Sequence, residues 1–144
     1  MTTTTRLATA DDVEIVTSLL KAFFSHEGRE VRHLRQNVEA ILDDPGRGFF
    51  TLDGEAAVAT TTIRISAGGG ASAEIEEIWV QPSSRGRGIG SRLLRGAVAE
   101  CRRRGIQSIE LRVTPDDHEV GIPDFYTKQG FRDRGRQIME FVGE

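Results

Sequence analysis

The sequence predicts one mixed α/β layer domain spanning residues 1–144. Three observations lead there. Two helical apolar stripes open the chain, and short β-rich segments separated by turn signals fill its middle. A long amphipathic helix then divides these from a further alternating strand. The resulting order, β-α-α-β-β-β-α-β-α-β-β, has six or seven strands and about four helices.

The elements follow from local pattern. Thr4 to Leu7 reads as a short first strand. Asp11 and Asp12 are placed to cap a helix whose apolar positions are Val13, Ile15, Val16, Leu19, Leu20, Phe23 and Phe24. A second helix is expected over Val31 to Leu42, stopped by Asp43-Asp44-Pro45-Gly46. Gly48 to Leu52 and Ala56 to Ile65 flank Asp53-Gly54, a hairpin signal. Ala67 to Ser72, with three consecutive glycines, reads as a flexible loop, and Glu74 to Gln81 as a strand ended by Pro82. Ile89 to Arg104 is the clearest helix, with Ile89, Leu93, Leu94, Ala97, Val98 and Cys101 on one face and Gly105 at its C-terminal cap. Ser108 to Val113 alternates as a strand, and Thr114 to Ile122 is a polar loop. Pro123 opens a short helix ending near Gln129-Gly130, and Phe131 to Val142 supplies one or two last strands.

Composition excludes several classes. Hydrophobic residues at 38 % suffice for a core, and no apolar run approaches the roughly 20 residues of a membrane helix, so no membrane partner is expected. The threonine-rich start has no basic region followed by an apolar core, so no secretory signal is read there. One cysteine, Cys101, rules out an intramolecular disulfide and is compatible with a cytoplasmic location. The net charge of -3 argues against a general nucleic-acid binder. Its distribution says more: seven arginines fall between Arg85 and Arg104, after glutamates at 74, 76 and 77. Such a pattern suits one anionic and one cationic ligand, or simply a solvated helix face. His33 and His118 lack metal-ligand spacing, so no metal is implied.

The informative segment is Ile78-Trp79-Val80-Gln81-Pro82-Ser83-Ser84-Arg85-Gly86-Arg87-Gly88-Ile89-Gly90-Ser91, a strand and turn followed by a glycine-rich entry into a helix. Free N–H groups at a helix N-terminus attract phosphate oxygens, and the helix dipole reinforces this. Gly86, Gly88 and Gly90 let a phosphate approach the main chain, while Arg85 and Arg87 can add charge-assisted hydrogen bonds. The segment lacks the Gly-Lys-Ser/Thr ending of a nucleoside-triphosphate loop and misses the dinucleotide Gly-x-Gly-x-x-Gly spacing.

Arg85-Gly86-Arg87-Gly88-Ile89-Gly90 resembles the Arg/Gln-x-x-Gly-x-Gly/Ala acyl-CoA loop of the GNAT superfamily of N-acetyltransferases. Phe125-Tyr126-x-x-x-Gly130-Phe131, about 35 residues downstream, is similar to that family's second signature. The resemblance implies a mostly antiparallel sheet of six or seven strands with a splayed strand pair holding acyl-CoA. It implies acetyl-CoA as cosubstrate and a small-molecule amine as acceptor, in a monomer or homodimer. A protein N-terminus or lysine as acceptor, or a non-catalytic acetyl-CoA sensor, are the alternatives. One departure is that Thr114 to Gly121 carries no asparagine, which the family often has near Glu119.

The resemblance also implies site residues. Cofactor contacts fall on Ile78, Trp79, Val80, Arg85, Gly86, Arg87, Gly88, Ile89, Gly90 and Ser91. Tyr126 is the general-acid candidate, since a tyrosine of pKa about 10 is protonated at neutral pH and can donate to a departing thiolate. Glu76 is the expected base: strand alternation puts Glu74, Glu76, Ile78 and Val80 on one face and turns Glu77 away. Glu74 is the alternative base, and Glu74, His26 and Glu27 are candidates for the acceptor site.

Overall fold

The structure, a computed structural model, describes residues 5–112 and 122–143. These belong to two units, Met1–Arg112 and Val113–Glu144. The first contains β1 (Thr5–Leu7), α1 (Val13–His26), α2 (Leu34–Leu42), β2 (Gly48–Asp53), β3 (Ala57–Ser66), β4 (Gly70–Val80), α3 (Ile89–Arg103) and β5 (Ser108–Leu111). The second contains α4 (Ile122–Lys128). Among the described residues no helix is long and apolar enough to cross a membrane.

Among the described residues the sheet has five strands in the order β1-β2-β3-β4-β5, all neighbours antiparallel except the parallel pair β4–β5. The expected six or seven strands reduce to five because residues 131–143 form no strand. There the Gly135 N–H turns back to the Asp133 carboxylate at 2.7 Å, and Gly135 takes φ 70°. Ile138, Met139, Phe141 and Val142 of this segment are exposed.

Each face of the sheet carries its own core. On one, Val16, Leu19, Leu20 and Phe24 of α1 and Val38 of α2 pack against Phe50, Leu52, Val58 and Trp79. On the other, Phe49 and Ala73 meet Cys101 and Ile106. The α3 stripe expected from the sequence is inward, with Leu93, Leu94, Ala97 and Cys101 buried. Its neighbour Glu100 is buried too and held by Arg103 (2.6 Å) and Arg104 (2.7 Å), which keep its carboxyl down at about 2.

Three boundaries differ from the sequence reading. Helix α2 starts at Leu34 rather than Val31, because His33 sits at φ 59°, a left-handed conformation a helix cannot run through. The expected loop from Ala67 to Ser72 shrinks to residues 67–69, since β3 continues to Ser66 and β4 begins at Gly70, paired with each other. Glycine disfavours strands only weakly against ladder pairing on a long hairpin. Asp12 does not cap α1 with its side chain. Its carboxylate instead accepts from the Thr9 N–H (2.7 Å) and twice from Arg6 (2.8 Å each), chiefly the arginine lowering it to about 2.

Candidate functional site

The alternation expected in β4 breaks in its middle. Ala57, Val58 and Ala59 pair with Val80, Trp79 and Ile78, but the next aligned pair is Thr61 with Ile75. Glu76 and Glu77 therefore stand together opposite Thr60, which is a β-bulge. One extra residue exchanges the faces of everything beyond it. Glu74, opposite Thr62, falls on the face of Val58 and Trp79, while Ile78 and Val80 fall with Ile75 and Ala73 on the other. The expectation that Glu74 shares a face with Ile78 and Val80 is thus incorrect, because alternation holds only in an uninterrupted strand.

The three glutamates now differ sharply. Glu76 is exposed. Glu74 is 6 % exposed and has its charge balanced by Arg112 Nε at 2.9 Å and Arg64 at 3.5 Å, Arg64 also reaching Glu110 at 3.8 Å. Glu77 is partly buried, and that burial pushes its carboxyl up to about 7. The charges of Glu76 and Glu74 add to the rise, while Thr60 and Arg29 act against it. Two acids beside one another in sequence thus have opposite environments, and the buried one titrates where a base for neutral pH is needed.

The end of α1 closes on the same face. The Trp79 ring lies 5.4 Å from that of His26, the last residue of α1, and 6.0 Å from that of Phe23. Arg29 stacks over Phe24 at 5.0 Å. Trp79 is 6 % exposed and serves as packing between α1 and β4. Glu27 is exposed at the C-terminal cap of α1.

The parallel pairing of β4 with β5 covers only Ser72 to Ile75. Beyond it, residues 76–80 have β3 on one side and, among the described residues, no strand on the other. This stretch leads through the short 3-10 turn Pro82–Ser84 into the glycine segment. Gly86 (φ 83°) and Gly88 (φ 75°) are left-handed, and a Cβ at either would meet no atom within 4 Å. Gly88 is the N-cap of α3, whose first turn leaves N–H groups that no carbonyl four residues back can take. Open backbone, positive helix end and arginines together form a cradle that fits a pyrophosphate. Arg85 is tied to the strand end, its Nε donating to the Val80 carbonyl (2.9 Å) and its guanidinium lying 4.7 Å over Trp79. Arg87 is exposed. Ile89 contributes main chain at the cradle while its side chain is buried, 8 % exposed.

One residue of this region escaped the sequence reading. Asp53, read there only as a turn former, is 1 % exposed and receives Arg92 of α3 through two bonds of 3.0 and 3.1 Å, with the Thr5 hydroxyl at 3.2 Å. This bidentate pair fastens the first turns of α3 to the end of β2. The available signal was an arginine on the inner flank of a helix otherwise lined with apolar residues.

In the second unit, Tyr126 is partly buried on α4, its ring 5.5 Å from Phe125 and 6.2 Å from Phe131. The Phe131 N–H returns to the Tyr126 carbonyl at 3.1 Å past Gly130 at φ 98°. The spacing of the second motif is thus that of a helix end and its glycine cap. The departure noted at Glu119 lies outside the described residues. Among the described residues no group of three His, Cys, Asp or Glu is gathered as a metal site.

Comparison with known proteins places these features. Residues 13–131 match the model of the acetyltransferase (GNAT) family. An uncharacterised N-acetyltransferase of Methanocaldococcus jannaschii is 40 % identical over 62 residues, 43 % of this chain and 26 % of that protein. Glucosamine 6-phosphate N-acetyltransferase 1 of Oryza sativa subsp. japonica is 29 % identical over 98 residues, 68 % of this chain and 54 % of that protein. The matches thus span about a quarter and about half of those relatives. An aminoglycoside N-acetyltransferase solved in complex with CoA superposes with a TM-score of 0.77 at 19 % identity, covering 95 % of this chain and 92 % of that one. The chain belongs to the acetyltransferase (GNAT) family.

Proposed function

We propose that this chain transfers the acetyl group of acetyl-CoA to a primary amine of a small molecule. The observation that carries the reading is one continuous feature: the open edge of β4 beside the bulge, running into the glycine cradle at α3. The main chain of Ile78, Trp79 and Val80 would hold the pantetheine as an added strand. The backbone of residues 86–91, with Arg85 and Arg87, would hold the pyrophosphate. Acetyl-CoA supplies an activated acyl group on a thioester.

The protein's part is then orientation and proton transfer. Orientation can contribute about 7–11 kcal/mol in favourable cases. An amine of pKa about 10 arrives protonated at neutral pH, so a base must take its proton. The sequence assigned that role to Glu76. The burial of Glu77, and its carboxyl at about 7, support Glu77 instead. Glu77 takes one proton from the ammonium, leaving a neutral amine to attack the thioester carbonyl. As the C–N bond forms and the C–S bond breaks, the second nitrogen proton leaves through water and restores the Tyr126 hydroxyl. Tyr126, from the second motif, gives its phenolic proton to the departing sulfur. His26 and Glu27, at the end of α1, contribute to the acceptor site.

Two similar proteins carry names of small-molecule acceptors, glucosamine 6-phosphate and aminoglycoside, which supports a small acceptor here. A screen of amino acids, polyamines, amino sugars and peptides, read by thiol release and by the mass of the acetylated product, tests the reading. Small amines turning over in preference to peptides supports it. Turnover of peptides alone identifies a protein acetyltransferase. Tight acetyl-CoA binding without any acceptor identifies a sensor.

The acid can be tested separately. Tyr126→Phe removes one oxygen and keeps the ring contacts. The expected loss in kcat is on the order of 10–10³-fold with little change in acetyl-CoA affinity. Single-turnover rates within twofold of wild type would take Tyr126 out of the mechanism.

A further inference from the structure

We propose that the Thr60 hydroxyl is a positioning group for the Glu77 carboxylate, holding it on the α1 side of β4 for the incoming amine. The inference rests on the reading of Glu77 as the base.

Three observations converge on this residue. Thr60 is the one β3 residue opposite the bulged pair Glu76–Glu77. It is 3 % exposed, and the group its Oγ1 faces is the Glu77 carboxylate, whose ionised form it favours. Its place between Ala59 and Thr61 puts it on the face of Val58 and Trp79, against which α1 packs. A buried hydroxyl is costly to leave unpaired, and at this place in the sheet the bulged carboxylate is what it meets. Thr51 and Thr61 bury hydroxyls too, but theirs have no partner and the register sets both on the opposite face of the sheet. Among these three strand threonines, Thr60 alone adjoins the bulged carboxylate.

The chemistry follows from what a hydroxyl offers. It has one proton to donate and two lone pairs. Donated to Glu77, the proton favours the ionised carboxylate, the form that acts as base. A remaining lone pair is available to an ammonium proton, which would align the acceptor between hydroxyl and carboxylate. The charged groups facing Glu77 are Arg29 beyond α1 and Glu76 and Glu74 on β4, Glu74 balanced by Arg64 and Arg112. His26, at the end of α1, stacks on Trp79 on the same face. None of these supplies the neutral, short-range contact that Thr60 can.

Thr60→Val is nearly isosteric and removes only the hydroxyl. In this variant the inflection in the pH profile of kcat/KM should move upward by about 0.5–1 unit. Activity at pH 6.5 should fall about 3–10-fold and converge with wild type by pH 9. Thr60→Ser should restore the inflection, and Thr61→Val should leave it unchanged. An unmoved inflection, or an equal loss at every pH, would overturn the proposal by reducing Thr60 to packing. A second readout needs no turnover. Denaturant stability followed from pH 5 to 9 reports the same titration, and its midpoint should rise in Thr60→Val and not in Thr61→Val. A wild-type protein without transferase activity would defeat the functional reading, while this measurement would still decide the role of Thr60.

Discussion

Gly88→Val should lower acetyl-CoA affinity about 100-fold, the effect of losing one or two charge-assisted hydrogen bonds to the pyrophosphate. The protein itself leaves room for the side chain, since no atom lies within 4 Å of a Cβ at Gly88. The branched carbons would enter the open space assigned to the phosphates. Gly88 also has φ 75°, so valine brings backbone strain of about 1–2 kcal/mol. Gly105→Val isolates that cost: Gly105 has φ 80°, equally open surroundings, and a place just beyond the far end of α3. Calorimetry should show weakened binding in the first variant and near-native binding in the second. Unchanged affinity in folded Gly88→Val would remove the cradle from the account.

Glu77→Gln should lower kcat/KM at neutral pH by about 10²-fold, within the range of general-base catalysis. Acetyl-CoA affinity should hardly change. Glu76→Gln, altering an exposed neighbour, should be nearly silent. The same substitution has an opposite signature in stability. Folding raises the Glu77 carboxyl from its ordinary value of 4.5 to about 7, so the folded state favours the protonated acid. The associated stability is fully present below about pH 4.5 and is lost as pH rises through 7. At higher pH the wild-type protein bears an ionised, partly buried carboxylate that costs up to roughly 3 kcal/mol. Glu77→Gln should therefore be the more stable protein above pH 7, and the less active one. A variant weaker in both respects would mark Glu77 as structural.

Much of the fold was legible because its signals are local. The stripes of α1 and α3 depend only on spacing, and the hairpin at Asp53-Gly54 on a residue that tolerates φ 56°. The conformation of the glycine segment was legible because left-handed backbone at a helix entry favours glycine. What was misread depends on partners distant in sequence. The bulge at Glu76–Glu77 is a matter of register against Thr60, and nothing in the alternation of residues 74–80 announces it. It gives the two glutamates different environments, which is why the proposed base differs from the expected one. Asp53 likewise joins Arg92 across 39 positions, although each residue has an adequate local explanation. The start of α2 was misplaced because His33 takes a conformation its apolar-periodic surroundings do not demand.

The most direct test of the central claim is a carbon-13 NMR titration of the glutamate carboxyl groups from pH 4 to 9. The account predicts one carboxyl titrating near 7, absent from Glu77→Gln and retained in Glu76→Gln. Every glutamate titrating below about pH 5, or a near-neutral resonance that survives Glu77→Gln and disappears in Glu76→Gln, would contradict it.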